Sequence, residues 1–254
     1  MSRVAEAYDT TAAVYDDVFV EDNRRPWQQV YLPRIRPGDD VLDAGCGTGL
    51  DSVACARAGA RVVGVDASAG MLAVAQRRSQ AAGVEVVFRQ GDLGDRAAWG
   101  GEQFDRVISG FAAINTVDDL SAFFELAHRS LRAGGELLVH FLTPGGLFDR
   151  VANLSRGRIR ASLTGWRDSR REVSVGGIVV PHRTWRSDVL YARFAAPWFV
   201  VVAAHGVGVC TPDDGPSRVP KHLTRALRVV DGSVGRAPLI RRYGRFGILV
   251  LRRR

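Results

Sequence analysis

The stretch Val41-Leu42-Asp43-Ala44-Gly45-Cys46-Gly47-Thr48-Gly49-Leu50 decides how this chain is read. Val41 and Leu42 close a short apolar strand and Asp43 follows. Glycine at 45, 47 and 49 then opens a tight turn into a helix expected over Asp51–Ala58. Alternating glycines let the backbone take positive φ and let a ligand lie against bare main chain. Glycines so placed weaken a core element for no packing benefit, so the turn reads as a site. Such a strand–turn–helix marks a nucleotide-type site at the carboxyl edge of a parallel sheet. A dinucleotide fingerprint, G-x-G-x-x-G, would need glycine at position 50, where Leu50 stands. The pattern is D-x-G-x-G-x-G instead. An acid ahead of the first glycine repels a pyrophosphate and suits a ligand with a cationic amino group.

With 254 residues the chain is long enough for one sizeable α/β domain with its own core. Hydrophobic residues make up 46% and charged residues 24%, which is globular usage and not that of a disordered chain. No apolar run reaches membrane-spanning length. Met1–Asp9 carries early acids and no apolar stretch, so no secretory signal is read there. Cys46, Cys55 and Cys210 are odd in number and lack C-x-x-C spacing, which suggests neither a disulfide framework nor a metal site. A reduced cytoplasm is the expected compartment. The net charge of +8 is nearly all arginine, Lys221 being the only lysine. With abundant alanine and valine this is the usage of a GC-rich genome, and it points towards specialised metabolism. A basic balance favours acidic partners, although a solvated basic face accounts for it as well.

The motif D-A-G-C-G-T-G resembles that of the class I S-adenosylmethionine-dependent methyltransferases, over roughly Val41–Thr143 and more weakly outside. The resemblance implies a Rossmann-like methyltransferase fold. It also implies S-adenosyl-L-methionine as methyl donor, S-adenosyl-L-homocysteine as product and a small-molecule acceptor.

The periodicities give an α/β chain with a doubly wound, mostly parallel seven-stranded sheet. One or two helices are expected over Val4–Val20 and another over Arg24–Leu32. Strands follow at Asp39–Asp43, Arg61–Asp66, Val84–Arg89, Phe104–Ser109 and Glu136–Leu142. Between them, Ser68 caps a helix that Gly83 ends, and Asp119–Leu131 is an amphipathic helix that Ala133-Gly134-Gly135 breaks. Beyond Gly146 the pattern changes. A helix is read at Leu147–Leu154 and an arginine-rich stretch at Arg156–Arg171. A hairpin over Glu172–Val180 turns at Gly176-Gly177. A helix capped by Ser187 runs to Ala195, and a valine-rich strand spans Trp198–Val209. The loop Thr211–Pro220, a helix over His222–Asp231 and a last strand at Phe246–Leu251 complete the chain. The late strands form the sheet's final antiparallel pair. The whole is read as one domain: a helical cap at 1–36, a cofactor core at 37–143, substrate-covering insertions with late strands at 144–244, and the last strand at 245–254.

The resemblance also implies where each part of the donor would sit. Gly45 and Gly47, with Asp43, Ala44 and Cys46 of the same turn, would hold the amino-acid head. Asp66, about twenty residues past the glycine turn, is placed for a ribose, whose two hydroxyls a carboxylate accepts together. Ala67, Ser68 and Met71 would flank ribose and adenine, Met71 being equally readable as core. Asp92 would accept from the adenine amino group or merely make a turn, with Gly91 and Leu93 framing the ring. Ser109, Gly110 and Phe111 would end a strand beside the methyl group, and Asn115 would hold the following loop or touch the acceptor.

Methyl transfer from a sulfonium is an in-line displacement with an activated leaving group, so alignment and exclusion of water carry most of it. A base is needed only where the acceptor must lose a proton. His140, late in its strand with its end facing the pocket, leads the candidates, ahead of His182 and His205. A lone histidine is more often structural. Tyr15, of a Tyr15-Asp16 pair on a helix that often covers the cofactor in this family, is a further pocket group.

Other classes fit less well. An NAD-dependent oxidoreductase is opposed by Leu50 and by the lack of a Tyr/Lys or Ser/Tyr set. Nucleic-acid methylation would suit the charge. Yet S-G-F-A-A at 109–113 lacks the prolines of a [DNS]-P-P-[YF] loop, and Trp166, Trp185 and Trp198 are not interleaved with a basic tract. A methyltransferase-like fold that catalyses a non-methylation step stays open. The arginine-rich stretch is solvated surface or, through Arg158 and Arg160, a contact for an anionic acceptor.

Overall fold

The computed structural model describes residues 3–18, 24–159, 170–211, 221–237 and 240–254. Three helices come first: α1 (Arg3–Thr11), α2 (Tyr15–Val18) and α3 (Arg24–Tyr31). Then β1 (Asp40–Ala44), α4 (Leu50–Arg57), β2 (Arg61–Asp66), α5 (Ala69–Ala82) and β3 (Val87–Gln90) run outward across one side of the sheet. The chain returns to the other side of β1 as β4 (Phe104–Ser109) and continues through α6 (Leu120–Ser130) to β5 (Leu131–Leu142). After α7 (Leu147–Ser155), a separate hairpin forms from β6 (Arg170–Val175) and β7 (Ile178–Arg183). The short α8 (Ser187–Leu190), then β8 (Phe199–Val207), α9 (Lys221–Val234) and β9 (Phe246–Arg253) finish the fold.

The seven-stranded sheet has the order β3-β2-β1-β4-β5-β9-β8. The first five strands are parallel, and β9 runs antiparallel to both β5 and β8, which is the final antiparallel arrangement expected. Both faces of the sheet are covered. Leu42, Val107, Leu137 and Val139 pack in one layer with Phe123 and Phe124 of α6. Val41, Ile108, Leu138 and Ile248 pack in the other with Trp27 and Tyr31 of α3. This is why the strands read as continuous apolar runs with no polar alternation. Each large side chain buried here contributes roughly 1.5–3 kcal/mol of transfer free energy.

Because β1 pairs β2 on one side and β4 on the other, chain direction across the sheet reverses between β1 and β4. The carboxyl ends of those two strands flank the crevice where open α/β sheets bind ligands.

Local signals explain most boundaries. The Ser68 hydroxyl accepts from the Met71 N–H at 3.0 Å to cap α5, and Gly83 ends it at φ +65°. The Asp119 carboxylate caps α6 through the Ala122 N–H at 3.0 Å. At the hairpin tip Gly176 and Gly177 have φ of +57° and +81°, the paired left-handed turn that matches strand twist.

Three boundaries differ from expectation in ways that change the reading. β3 starts at Val87, because the Val84 N–H bonds back to Ser79 O and closes the helix. β5 starts at Leu131: Gly134, at φ +75°, lies inside a register jump from Phe104↔Leu131 to Arg106↔Glu136 and does not end α6, which Leu131 has already left. Ser187 is not a cap; the position before α8 belongs to Arg186 and makes no side-chain capping bond, and the helix widens into a π-turn at Tyr191–Ala195. Most of the arginine-rich stretch, including Arg160, and most of the 211–220 loop lie outside the described residues.

Candidate active site

Gly45, Gly47 and Gly49 take φ of +81°, +51° and +77°, so each glycine of the turn occupies the left-handed region. Their neighbours differ. A Cβ on Gly45 would lie 2.5 Å from Ala113 Cβ, and one on Gly49 would lie 2.8 Å from Ala75 Cβ. A Cβ on Gly47 meets nothing within 4 Å, although Gly47 lines the cavity described next. Gly49→Ala is therefore expected to cost strain of about 1–2 kcal/mol plus roughly 1–3 kcal/mol of overpacking. Gly47→Ala should cost only the strain, a fall in Tm of about 2–4 °C per kcal/mol, yet should lose ligand affinity. Thermal unfolding and calorimetry on the two variants check this.

The turn opens on a cavity of 440 Å³ at the β1/β4 switch point. Asp66, at the end of β2, joins two of its walls: one oxygen accepts from the Gly47 N–H at 2.8 Å and the other from the Ser68 N–H at 2.9 Å. A carboxylate has about four acceptor positions, so capacity remains for a diol. Burial pushes the Asp66 carboxyl above the usual carboxylate range, and the backbone N–H groups oppose this. Asp43 is buried and accepts from the Ser52 hydroxyl at 2.6 Å. Burial, then the Asp51 charge, push its pKa up to about 7, while Ser52 and Arg24 pull it down. A group in that state gains from a cation placed beside it.

The opposite charge comes from the cap. Arg24, on α3, is the one basic side chain on the cavity wall among the described residues. Its Nη1 donates to Asp51 Oδ1 at 3.1 Å, and its guanidinium lies 3.9 Å over the Phe111 ring. Asp43 and Arg24 thus put a carboxylate and a guanidinium on the lining of the same cavity, a pairing complementary to a zwitterionic amino-acid head. Tyr8 and Tyr15, packed edge-to-face at 5.9 Å, roof the same space from α1 and α2. Those helices are pinned by polar contacts. Asp9 accepts from the Ser68 hydroxyl at 2.5 Å and from the Gly70 N–H at 2.8 Å, while Asp16 accepts from the Thr48 hydroxyl at 2.8 Å and from Arg78.

Residues 41–135 match the family model described as a methyltransferase domain. Through that segment the chain is similar to methyltransferase domains. Over 110 residues it is 39% identical to the "Ubiquinone biosynthesis O-methyltransferase" of Azorhizobium caulinodans, covering 42% of this chain and 43% of that protein. Over 147 residues it is 37% identical to the "Demethylmenaquinone methyltransferase" of Mycobacterium marinum, covering 56% of this chain and 60% of the relative. The chain thus spans about half the length of the curated relatives it matches. Among solved structures the CcbJ methyltransferase of Streptomyces caelestis superposes with a TM-score of 0.67 over 100% of this chain and 99% of that one, at 17% identity, a likeness of fold.

Most of the residues singled out in the sequence line the cavity: Asp43, Gly45, Cys46, Gly47, Asp66, Ala67, Met71, Asp92, Leu93, Gly110, Phe111 and Tyr15. Asp92 lines it while also making a turn, accepting from the Gly94 N–H at 2.9 Å. Ala44, Gly91 and Ser109 stand behind the wall. The Ser109 hydroxyl donates to Ala44 O at 2.7 Å and ties β4 to β1, and Gly91 is pressed against Ala98. Asn115 holds the loop: its side chain donates to the carbonyls of Leu142 and Arg183 and accepts from the Leu142 N–H at 2.9 Å.

His140 is not brought to the cavity. It lies fully buried on the Leu138 side of β5, stacked on Phe246 at 4.8 Å and screened from the cavity by Phe111 at 5.7 Å. Burial and then Arg24 push its pKa down to about 3, so it stays neutral. His182 and His205 do not line the cavity either. Burial pushes the Tyr15 phenol up to about 12, so it can share hydrogen bonds but stays protonated at neutral pH.

Arg24, Asp51, Tyr8 and Thr48 line the cavity without having been singled out. The signal available was the spacing Arg24-x-x-Trp27-x-x-x-Tyr31, which sets the three side chains on one helix face. Among the described residues no group of three His, Cys, Asp or Glu could hold a metal ion, and no helix is long and apolar enough to cross a membrane.

Proposed function

We propose that this chain is an S-adenosyl-L-methionine-dependent methyltransferase acting on a small-molecule acceptor, with the cap helices, the core and the β6–β7 hairpin working as one unit. The observation that carries the reading is the cavity's charge pattern. Asp43, Arg24, Asp66 and Asp92 all line the cavity, and Asp66 keeps spare acceptor capacity beside the Gly47 and Ser68 N–H groups. Amino-acid head, ribose and adenine would each find a partner of the right kind among them. The volume, 440 Å³, is within the range of pockets that enclose a nucleoside-sized ligand.

When bound, the donor supplies a sulfonium whose methyl group leaves a neutral thioether. The chain's own part is alignment and exclusion of water. Asp43 and Arg24 fix the head, Asp66 the sugar and Asp92 the base, while Tyr8 and Tyr15 close the roof. Gly110 and Phe111, just past the end of β4 on the cavity lining, would lie beside the acceptor. The relatives named for ubiquinone and menaquinone chemistry make a quinone-type acceptor the first to test. Arg156 and Arg158 are exposed, and an anionic acceptor would draw on them only if the insertion folds towards the cavity.

Calorimetry should give micromolar-range binding of S-adenosylmethionine and S-adenosylhomocysteine with no heat from NADH. Binding of NADH with none of the thioether ligands would overturn the reading.

A further inference from the structure

We propose that Asp51 is a positioning residue for the donor's amino-acid head and acts through Arg24. The proposal rests on the reading of the cavity as a site for S-adenosylmethionine and names what orients its one cationic wall residue.

Asp51 sits in the first turn of α4 and is 5% exposed. Donors from α3 converge on it: Arg24 Nη1 at 3.1 Å and the Tyr31 hydroxyl at 2.9 Å on Oδ1, and the Trp27 indole N–H at 2.8 Å on Oδ2. Trp27 and Tyr31 are neutral and fully buried, and any good acceptor would satisfy them. Among these three donors the negative charge matters most to Arg24, the one cation. That guanidinium is held from two sides, by Asp51 and by the face of Phe111 at 3.9 Å. Its Nε is buried without a hydrogen-bond partner. Arg24 lines the cavity, so guanidinium donors not spent on Asp51 can serve a ligand there.

The backbone is bent to make this arrangement. Phe111 and Ala112 take φ of +47° and +63°, a region costly for non-glycine residues, of the order of 1–3 kcal/mol each. Gly110 comes so close that a Cβ would lie 2.8 Å from Asp51 Oδ2. Strain of this kind persists where the surroundings over-determine it, and it gathers at functional sites.

Asp51 also prevents a competing pairing. Arg24 lies near enough to Asp43 to pull its pKa down. Without Asp51, the guanidinium would turn onto Asp43, and the two charges meant for a zwitterion would cancel each other. Asp51 keeps them apart and ready.

The test compares S-adenosylhomocysteine with 5′-methylthioadenosine, which keeps the nucleoside and lacks the amino-acid head. Asp51→Asn should weaken the first about tenfold to a hundredfold, as for loss of a charge-assisted contact, and the second by less than about twofold. Arg24→Ala should show the same split, and the double variant should be no worse than Arg24→Ala alone. Equal weakening of both ligands by Asp51→Asn, or losses that multiply in the double variant, would reduce Asp51 to a packing role. Arg24→Ala leaves Asp51 bonded to Trp27 and Tyr31. If it gives no split, the proposal falls whether or not Asp51→Asn folds. Failure of the unsubstituted chain to bind S-adenosylhomocysteine would overturn the cofactor reading and this proposal with it.

Discussion

Asp66→Ala should abolish calorimetrically detectable binding of S-adenosylmethionine while leaving a folded protein. Two losses combine. The ribose hydroxyls lose a charged acceptor, and each such bond is worth about 1.5–3 kcal/mol, so a bidentate pair amounts to at least about a hundredfold. The Gly47 and Ser68 N–H groups lose the carboxylate that holds the glycine turn against the next loop. The fold should tolerate the change. Burial already pushes this carboxyl above its usual range, so removing it relieves a desolvation cost that offsets the lost bonds. Asp66→Asn is the informative intermediate. It keeps one acceptor oxygen, so it can serve Gly47 or Ser68 but not both and a sugar besides. Its affinity should fall between the other two, with Tm near that of the unsubstituted chain. Unchanged affinity in Asp66→Ala would place the sugar elsewhere.

The parts of this site that could be read from the sequence are those fixed by local chemistry. β2 and β4 begin and end where expected, at Arg61–Asp66 and Phe104–Ser109, and α5 lies between Ser68 and Gly83, because caps and left-handed glycines act over a few residues. The glycine turn was legible for the same reason. Long-range contacts were not. Arg24 and Asp51 are far apart in sequence, and only the packing of α3 over the second apolar layer brings them together. His140 shows the limit most clearly. In a strand buried on both faces, alternation fixes that residues 138 and 140 share a side. It does not say that Trp27, Phe111 and Phe246 will fill that side and shut the imidazole away from the cavity. The register jump around Gly134 was equally hidden, because a Gly-Gly pair after a helix signals a break and gives no sign that a strand has already begun.

Asp43→Asn should give a protein that melts at higher temperature than the unsubstituted chain at pH 8 and yet binds the donor poorly. The sign follows from proton counts. With a folded pKa raised to about 7 from 3.8, Asp43 holds more protons in the folded than in the unfolded state between about pH 4 and 7. Its contribution to stability therefore falls as pH rises through that window, and above it the full penalty of a buried carboxylate is present, each pKa unit being worth about 1.4 kcal/mol. An asparagine at 43 removes the titration and still accepts from the Ser52 hydroxyl, so Tm should rise by several degrees at pH 8 and change little at pH 4. The same charge is what a cationic ammonium needs. Binding it beside Asp43 should draw the pKa back down, so at pH 7 the unsubstituted chain should release a fraction of a proton on binding S-adenosylhomocysteine. Titrations in buffers of different ionisation enthalpy would measure that fraction, and it should vanish in Asp43→Asn. A release that persists in the variant would move the titrating group away from residue 43. A variant no more stable at pH 8 would show that the carboxylate is already paid for in the unliganded fold.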